Sequence, residues 1–231
     1  MEPITLDFIS SLYSKYSKDL AAVRDAQRSF LQERGKSMKP QLDDLEAEIT
    51  YLLVREARPA NVVEIGTFYG WSTTWLLSAL RDNGVGQLHS FDIVSTVTQN
   101  VPAELSEGRW TFNQGDMRES LGKVPETDYL FIDADHGAKF ARWYIDHLFP
   151  LMRSGTPTSV HDVFHGKRTL PFTEGAVVTK WLADKKVEFF TPSAAKDPES
   201  NRALTKLKGE LGLTEPVRPT PDNPMIYFLM P

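Results

Sequence analysis

Residues 61–80 read NVVEIGTFYGWSTTWLLSAL, and the fold class of the chain follows from this stretch. Residues 61–65 are mostly apolar and β-prone, as expected of a strand that is buried on both faces of a parallel sheet. A turn with glycine at each end, Gly66 and Gly70, leads into a segment with apolar residues at helical spacing. Such a junction brings backbone N–H groups and a positive helix end to one place, which favours a nucleotide or carboxylate ligand. An ordinary strand-to-helix connection explains the same residues.

The glycine spacing distinguishes between classes of nucleotide-binding protein. A dinucleotide site has the pattern G-x-G-x-x-G, whereas this turn has Glu64-x-Gly66-x-x-x-Gly70 without the middle glycine, which counts against a nicotinamide dehydrogenase. The spacing resembles motif I of the class I S-adenosylmethionine-dependent methyltransferases. The wording EIGTFYGWST, residues 64–73, looks most like their small-molecule O-methyltransferase branch. The resemblance implies S-adenosylmethionine as the cofactor and S-adenosylhomocysteine as its product.

Composition limits the function classes. The 231 residues suffice for one α/β domain with a full core, and 41% hydrophobic and 25% charged residues are ordinary for a soluble globular protein. The net charge of −5 argues against a nucleic-acid partner, and the absence of cysteine excludes disulfides and thiolate metal sites. Without a long apolar run or a signal peptide, we expect a cytoplasmic protein with no membrane partner.

Apolar periodicity predicts helices throughout residues 1–58, which we treat as an N-terminal helical extension of a methyltransferase domain at 59–231. A third helix, opening near Lys39-Pro40, is expected to pack on the sheet. The first two helices, which are rich in aromatic residues, form either a cover over the site or a dimer surface. We expect a homodimer.

Further strands alternate with helices along the rest of the chain. Apolar or alternating segments predict strands at 87–91, 109–114, 128–133, 156–160, 187–190 and 225–229. With the first strand they give a Rossmann-like, seven-stranded, mostly parallel sheet with helices on both faces. In the resembled family the last strand is antiparallel.

The cofactor residues are expected where strands end. Asp92 follows the second strand, where a carboxylate accepts hydrogen bonds from a ribose diol. Asp116 follows the third strand; it either caps a helix over 117–121 or, as the resemblance implies, accepts from the adenine amino group while Met117 packs on the ring. The remaining predicted cofactor residues lie in the first turn and after the fourth strand: Glu64, Gly66, Thr67, Gly70, Ser72 and Asp133.

The catalytic candidates follow the fourth and fifth strands. The sequence DYLFIDADH ends in three ionisable groups, and the fifth strand is followed by His161-Asp162. Methyl transfer needs a base for the acceptor proton, and histidine is the natural residue near neutral pH. We predict His136 as the base, with His161 and Asp162 as further catalytic residues.

The sequence is also compatible with a metal-dependent methyl transfer. In catechol-type O-methyltransferases, an Asp after strand four and an Asp-Asn pair after strand five hold magnesium. Here Asp133 matches the first position, but Val163 occupies the last and offers no ligand atom. We therefore favour a reaction without metal; a metal, if present, would be held by Asp133, His161 and Asp162.

The predicted function is methyl transfer to a small aromatic or hydrophobic acceptor, with oxygen as the favoured acceptor atom. We expect the reaction to belong to secondary metabolism. Alternatives are C- or N-methylation of a heterocycle such as an indole, a metal-dependent hydroxylase on the same scaffold, and a non-catalytic cofactor-binding protein. The predicted substrate-binding residues are Trp71, Trp143, Phe164, His165 and Tyr16.

Overall fold

The computed structural model describes residues 1–220 and 222–231 and is built around one sheet. Its strands are β1 (Asn61–Ile65), β2 (Gln87–Asp92), β3 (Trp110–Gln114), β4 (Tyr129–Ile132), β5 (Pro157–Val160), β6 (Phe189–Phe190) and β7 (Ile226–Leu229). The order across the sheet is β3-β2-β1-β4-β5-β7-β6. Strands β1 to β5 pair in parallel, and β7 is antiparallel to both its neighbours. The predicted mostly parallel sheet of seven strands, with an antiparallel last strand, is confirmed.

Helices cover both faces of the sheet. They are α1 (Leu6–Lys15), α2 (Ser17–Arg34), α3 (Asp44–Ala57), α4 (Trp71–Asn83), α5 (Val97–Asn100), α6 (Ala103–Ser106), α7 (Ala138–His147), α8 (Glu174–Lys185) and α9 (Pro198–Glu210). Alternate strand residues point to opposite faces. Val62 and Phe131 join one core with α1 to α4 and α9, whereas Val63 and Leu130 join a second core with α7 and α8. The carboxyl edge of the sheet stays open between the two layers.

The N-terminal helices bury their apolar faces within the chain. Ile9, Leu12 and Tyr13 are each at most 1% exposed and pack into the same core as the sheet. Helix α3 begins at Asp44, later than the predicted start near residue 39. The reason is a capping box, in which the Asp43 side chain accepts from the Glu46 amide and Glu46 accepts from the Asp43 amide.

The turn after β1 depends on its first glycine. Gly66 has φ 84°, and a Cβ there would lie 1.8 Å from the carbonyl oxygen of Asp133. Gly70 has φ 95°, and its amide donates to the Thr67 carbonyl at 2.7 Å. Glycine at the first position therefore lets β1 and β4 approach closely where their chains leave the sheet.

Short helices and turns form the connections from β2 to β3 and from β3 to β4. Two short helices, α5 and α6, connect β2 to β3. Asp116 starts a turn instead of the helix considered over 117–121: its side chain accepts from the Arg118 amide at 2.9 Å, and its carbonyl accepts from the Glu119 amide at 3.0 Å.

In the described part of the chain, no helix is both long and apolar enough to cross a membrane.

Candidate active site

A cavity of about 460 Å³ opens at the carboxyl edge of the sheet. Seven of the predicted site residues line it: Gly66, Asp92, Asp116, Met117, Asp133, His136 and Asp162. They lie at or just after the carboxyl ends of β1 to β5, because parallel strands place these ends at one edge of the sheet. The cavity is the place where the sequence-predicted cofactor and catalytic residues meet.

Asp92 organises the glycine turn at one end of the cavity. Its Oδ2 accepts from the Thr67 amide at 2.7 Å, the Phe68 amide at 2.8 Å and the Thr67 hydroxyl at 3.0 Å. Its Oδ1 accepts from the Val94 amide at 3.0 Å. One carboxylate oxygen therefore fixes the turn, and the other, with a single hydrogen bond among the described residues, retains acceptor capacity. Thr67 contributes to the site by holding Asp92; it is not among the cavity-lining residues.

Glu64 lies beneath the turn and not in the cavity. It is fully buried, and its carboxylate accepts from the hydroxyls of Ser72, Thr73 and Ser90 at 2.6 to 3.1 Å. Burial raises the pKa of Glu64 to about 7, although the three hydroxyls oppose the shift. These bonds join β1, α4 and β2, so Glu64 and Ser72 support the turn from below. Gly70, which precedes α4, is likewise absent from the lining.

Asp116 and Met117 lie on the side of the cavity next to β3, and Asp116 is engaged by a neighbour. Arg118 donates from Nε to both Asp116 oxygens at 2.9 Å, and its Nη2 lies 2.5 Å from Oδ2. These hydrogen bonds hold the pKa of Asp116 below its usual value. Met117 is 4% exposed. A ligand amino group that binds Asp116 therefore shares the carboxylate with Arg118.

At the other end, the chains that leave β4 and β5 bring His136 between two carboxylates. Its Nε2 lies 3.0 Å from Asp162 Oδ2 and 3.7 Å from Asp133 Oδ1. Burial alone would lower the pKa of His136, but a hydrogen bond to Glu174 and the charges of Asp162 and Asp133 outweigh burial and raise it. His136 is 41% exposed at the side chain and faces the cavity, so it is the histidine placed to meet a substrate.

Glu174, at the first position of α8, holds the other edge of the His136 ring. Glu174 Oε2 lies 3.1 Å from His136 Nδ1, and Glu174 Oε1 accepts from the Tyr144 hydroxyl at 2.8 Å. Its side chain is 1% exposed, and burial raises the pKa of Glu174 despite the opposing effect of His136. Sequence reasoning missed this residue, which reads as an ordinary acidic first-turn residue.

His161 lies behind the cavity as a buried link to α3. Its Nδ1 is 3.2 Å from both Asp133 Oδ1 and Asp162 Oδ1, and its Nε2 is 3.3 Å from Glu46 Oε2. Burial would lower the pKa of His161, but the carboxylates of Asp133 and Glu46 raise it well above the usual value. His161 correspondingly holds the pKa of Asp133 down, against the effect of burial. His161 therefore supports the carboxylates and has no access to a substrate.

Of the five residues predicted to bind substrate, none lines the cavity. Trp71 is a core residue, 2% exposed, whose Nε1 donates to the Leu42 carbonyl at 2.9 Å. Tyr16 donates to Glu56 at 2.7 Å, near the amino ends of the strands and thus away from the site. The aromatic residues of the N-terminal helices therefore serve packing, which sequence periodicity alone does not distinguish from ligand binding.

The other three lie closer to the site. Trp143 stacks on Phe140, which does line the cavity, with 5.6 Å between ring centroids. Phe164 is 3% exposed and stacks on Phe189 at 5.7 Å. The exposed His165 lies 3.3 Å from Asp162 Oδ1. Trp143 therefore supports the cavity wall from behind, through Phe140.

Ten lining residues were not among the predicted site residues. They are Gln41, Ile65, Phe68, Phe91, Ile93, Gly115, Arg118, Ala134, Asp135 and Phe140. Three of these are phenylalanines, which give the cavity flat apolar walls. Adjacency to the predicted strand ends identifies Phe91, Ala134 and Asp135, whereas Gln41 reaches the site only through the packing of the N-terminal segment.

One group of side chains in the described residues has the geometry of a metal site. Ligand atoms of Asp133, His136 and Asp162 lie within 4.8 Å of one another. The sequence-based set included His161 in place of His136. His161 Nδ1 does lie 3.2 Å from Asp133 and from Asp162, but its ring is buried behind the cavity and its Nε2 faces Glu46. Two carboxylates with one imidazole fit a transition-metal ion better than magnesium, which prefers oxygen alone.

Comparison with known proteins identifies the central part of the chain. Residues 63–163 match the family model described as a methyltransferase domain, which confirms the methyltransferase recognised in the sequence. A search of curated proteins gives no match. The matched residues run from β1 to the chain just after β5 and include all the lining residues named above except Gln41.

Solved structures with a similar fold cover nearly the whole chain. An O-methyltransferase from Bacillus cereus, in complex with S-adenosylhomocysteine, is 15% identical over 98% of this chain and 100% of that chain, with a TM-score of 0.60. The O-methyltransferase TomG from Streptomyces achromogenes, involved in tomaymycin synthesis and in complex with S-adenosylmethionine, is 16% identical over 92% and 89%, with a TM-score of 0.60. At these identities the likeness establishes the fold.

Proposed function

We propose that this methyltransferase domain transfers the methyl group of S-adenosylmethionine to a small acceptor, at oxygen, with His136 as the proton acceptor. The observation that carries the proposal is one cavity with the Asp92-held glycine turn at one end and His136 between two carboxylates at the other. Solved structures of the same fold, described as O-methyltransferases with S-adenosylhomocysteine or S-adenosylmethionine, support the choice of cofactor and acceptor atom.

On the cofactor side, Asp92 Oδ1 accepts from ribose and Asp116 from the adenine amino group, while Met117 packs on the base. Gly66 lines the cavity through its backbone, at the start of the turn that Asp92 holds. Asp133 is held ionised by His161, which suits it to a positively charged group. Glu64, Thr67, Gly70 and Ser72 act by shaping the turn.

On the acceptor side, the residues orient a nucleophile and remove its proton. S-adenosylmethionine supplies a methyl group on a positively charged sulfur, so the protein mainly has to align the acceptor and deprotonate it. His136 Nε2 takes the acceptor proton, and Asp162 at 3.0 Å stabilises the resulting imidazolium. The ring of Phe140, backed by Trp143, favours a flat aromatic or hydrophobic acceptor.

The test is a turnover assay with S-adenosylmethionine and three acceptor sets: phenols, indoles and small polar amines. Released S-adenosylhomocysteine and the mass of the product are measured, and product NMR locates the new methyl group. The proposal expects methylation of a phenolic oxygen. Methylation at carbon or nitrogen of an indole would support the heterocycle alternative, and turnover only of polar amines would contradict an aromatic acceptor.

A metal-dependent form of the same transfer is the second candidate, because Asp133, His136 and Asp162 are close enough to share an ion. These residues would hold the metal, which would lower the pKa of an acceptor hydroxyl. His136 then serves as a ligand and not as a base. Metal-free protein titrated with Mn²⁺ or Zn²⁺ in a calorimeter distinguishes the two forms, with Asp133→Asn as the matched variant. Tight binding that the variant loses, together with metal-dependent turnover, would support the second form.

The remaining alternatives give different readouts. A hydroxylase on this scaffold would consume oxygen and leave S-adenosylmethionine intact, and a cofactor-binding protein without catalysis would bind it without methyl loss.

We also propose a cytoplasmic homodimer with residues 1–58 as an extension of the domain at 59–231. The apolar face of α1 packs within the chain, so the proposed dimer would form through other surfaces. Light scattering during size-exclusion chromatography measures the oligomeric state directly. A monomer over the micromolar range would remove the dimer from the proposal.

A further inference from the structure

Residue 174 holds His136 at two points. The Glu174 amide donates to the His136 carbonyl at 2.8 Å, and the Glu174 side chain lies 3.1 Å from His136 Nδ1 through Oε2. The same segment pairs with the chain next to His136, through a bridge between Gly137 and Thr173. The backbone and the ring of His136 are therefore both fixed by the start of α8.

Both oxygens of the Glu174 carboxylate are engaged in this arrangement. Oε1 accepts from the Tyr144 hydroxyl at 2.8 Å while Oε2 faces His136, and the side chain is 1% exposed. We propose that Glu174, supported by Tyr144, is a positioning residue that turns the Nε2 edge of His136 toward Asp162 and the cavity. This inference rests on the proposed function of His136.

The chemistry follows from the two ring nitrogens of histidine. When neutral, imidazole carries one proton, and the nitrogen without it is the acceptor. Glu174 beside Nδ1 and Asp162, whose Oδ2 lies 3.0 Å from Nε2, compete for that proton. The buried hydrogen bond to Glu174 favours the proton on Nδ1, which leaves the lone pair on Nε2 toward the cavity. Without Glu174, the ring is free to rotate and to exchange tautomers, and the acceptor atom is no longer fixed.

The local sequence places Glu174 where it is needed. The next residue is Gly175, where a Cβ would lie 2.6 Å from the Val163 carbonyl oxygen. A glycine therefore lets the first turn of α8 lie against the chain that leaves β5. Thr173 is the N-cap of α8, and Glu174, in the first turn of this helix, lies beside the His136 ring. An acidic residue in a first helical turn also has a purely structural use at the helix dipole, so the test must separate the two roles.

The first measurement uses the unaltered protein and needs no substrate. Long-range ¹H–¹⁵N NMR correlations report which imidazole nitrogen carries the proton in neutral histidine, and His136→Asn identifies the signal. We expect the proton on Nδ1. A neutral His136 protonated on Nε2 would overturn the inference, whatever the kinetics.

The second measurement compares Glu174→Gln with Glu188→Gln, a control that makes the same change at an exposed position. We expect Glu174→Gln to lower kcat by about 10- to 100-fold while the KM for S-adenosylmethionine stays unchanged. Tyr144→Phe, which loses one hydrogen bond to Glu174, should shift kcat in the same direction by a smaller factor.

Failure of the inference and failure of the proposed function look different. If His136→Ala abolishes turnover but Glu174→Gln keeps kcat and the Nδ1 tautomer, Glu174 has no positioning role and the function stands. If the unaltered protein does not bind S-adenosylhomocysteine and does not form it from S-adenosylmethionine, the proposed function is wrong. The tautomer measurement still decides the role of Glu174. If Glu174→Gln does not fold, the tautomer of the unaltered protein and of Tyr144→Phe decides it.

Discussion

The two halves of the cavity differ in how far apart their interacting residues lie in the sequence. In the glycine-turn half, Asp92 contacts Thr67 across 25 positions, all within one strand-helix-strand unit. In the histidine half, His136 contacts Glu174 across 38 positions, and His161 contacts Glu46 across 115. The first half is a local product of the fold, whereas the second needs α3 and α8 to pack correctly. The halves should therefore respond differently to substitution.

The largest effect is expected in the histidine half. His136→Ala removes the proton acceptor and should lower kcat by about 10²–10⁴-fold, while binding of S-adenosylhomocysteine is retained. The measurement is turnover together with calorimetric titration. His147→Ala, an exposed histidine on α7, is the control and should leave both unchanged. Normal turnover of His136→Ala would remove the base from the mechanism.

Gly66→Ala should damage the glycine-turn half through the fold itself. The new Cβ would meet the Asp133 carbonyl oxygen at 1.8 Å, at a backbone φ of 84°. We expect the free energy of unfolding to fall by about 3 kcal/mol or more. Gly84→Ala is the matched control, since φ is 67° but no atom lies within 4 Å of the Cβ position.

The control should cost about 1–2 kcal/mol, the strain of the left-handed region alone. Denaturant unfolding of both variants measures the difference. Equal losses would mean that the close approach of β1 and β4 does not constrain the turn.

Asp92→Ala should weaken cofactor binding and spare kcat, the reverse of the effect expected for His136→Ala. It removes the acceptor for ribose and loosens the turn, so the affinity for S-adenosylhomocysteine should fall by about 1–3 kcal/mol, or roughly 5- to 150-fold. With saturating cofactor, kcat should change little. Calorimetry and saturation kinetics measure the two quantities. A loss confined to kcat would show that the halves do not act separately.

The smallest effect is expected from pH and again concerns the histidine half. The base must be neutral, and the pKa of His136 is raised above 6.5, so the neutral fraction grows as pH rises through the raised pKa. Turnover should therefore increase with pH above neutrality, by about tenfold or less between pH 7 and 9, and then level off. Cofactor affinity should stay flat over this range. A rate that falls with rising pH would contradict a histidine base.

The sequence predicts the glycine-turn half of the cavity better than the histidine half. The seven-stranded sheet, the glycine turn and the cavity positions of Asp92, Asp116 and Asp133 all follow from strand ends and glycine spacing. Trp71 and Tyr16 were assigned to the substrate because aromatic residues suit both cores and ligand walls. Their partners, the Leu42 carbonyl and Glu56, are contacts that no local pattern encodes.

His161 illustrates the limit most clearly. Its position after β5 suggested a catalytic residue, and only the packing of α3 puts Glu46 on its far side and buries it. Glu174 was missed for the same reason, since its role depends on where α8 begins in space. Strand ends predict which residues reach the edge of the sheet. The helices packed around that edge decide which of these residues face the cavity.

The cofactor site is tested best by calorimetric titration with S-adenosylmethionine and S-adenosylhomocysteine, with and without EDTA, on the unaltered protein and on Asp92→Ala. We expect micromolar binding of both compounds that EDTA does not change and that Asp92→Ala weakens. Binding lost on chelation would assign Asp133, His136 and Asp162 to a metal. If neither compound binds the unaltered protein, the cavity is not a cofactor site.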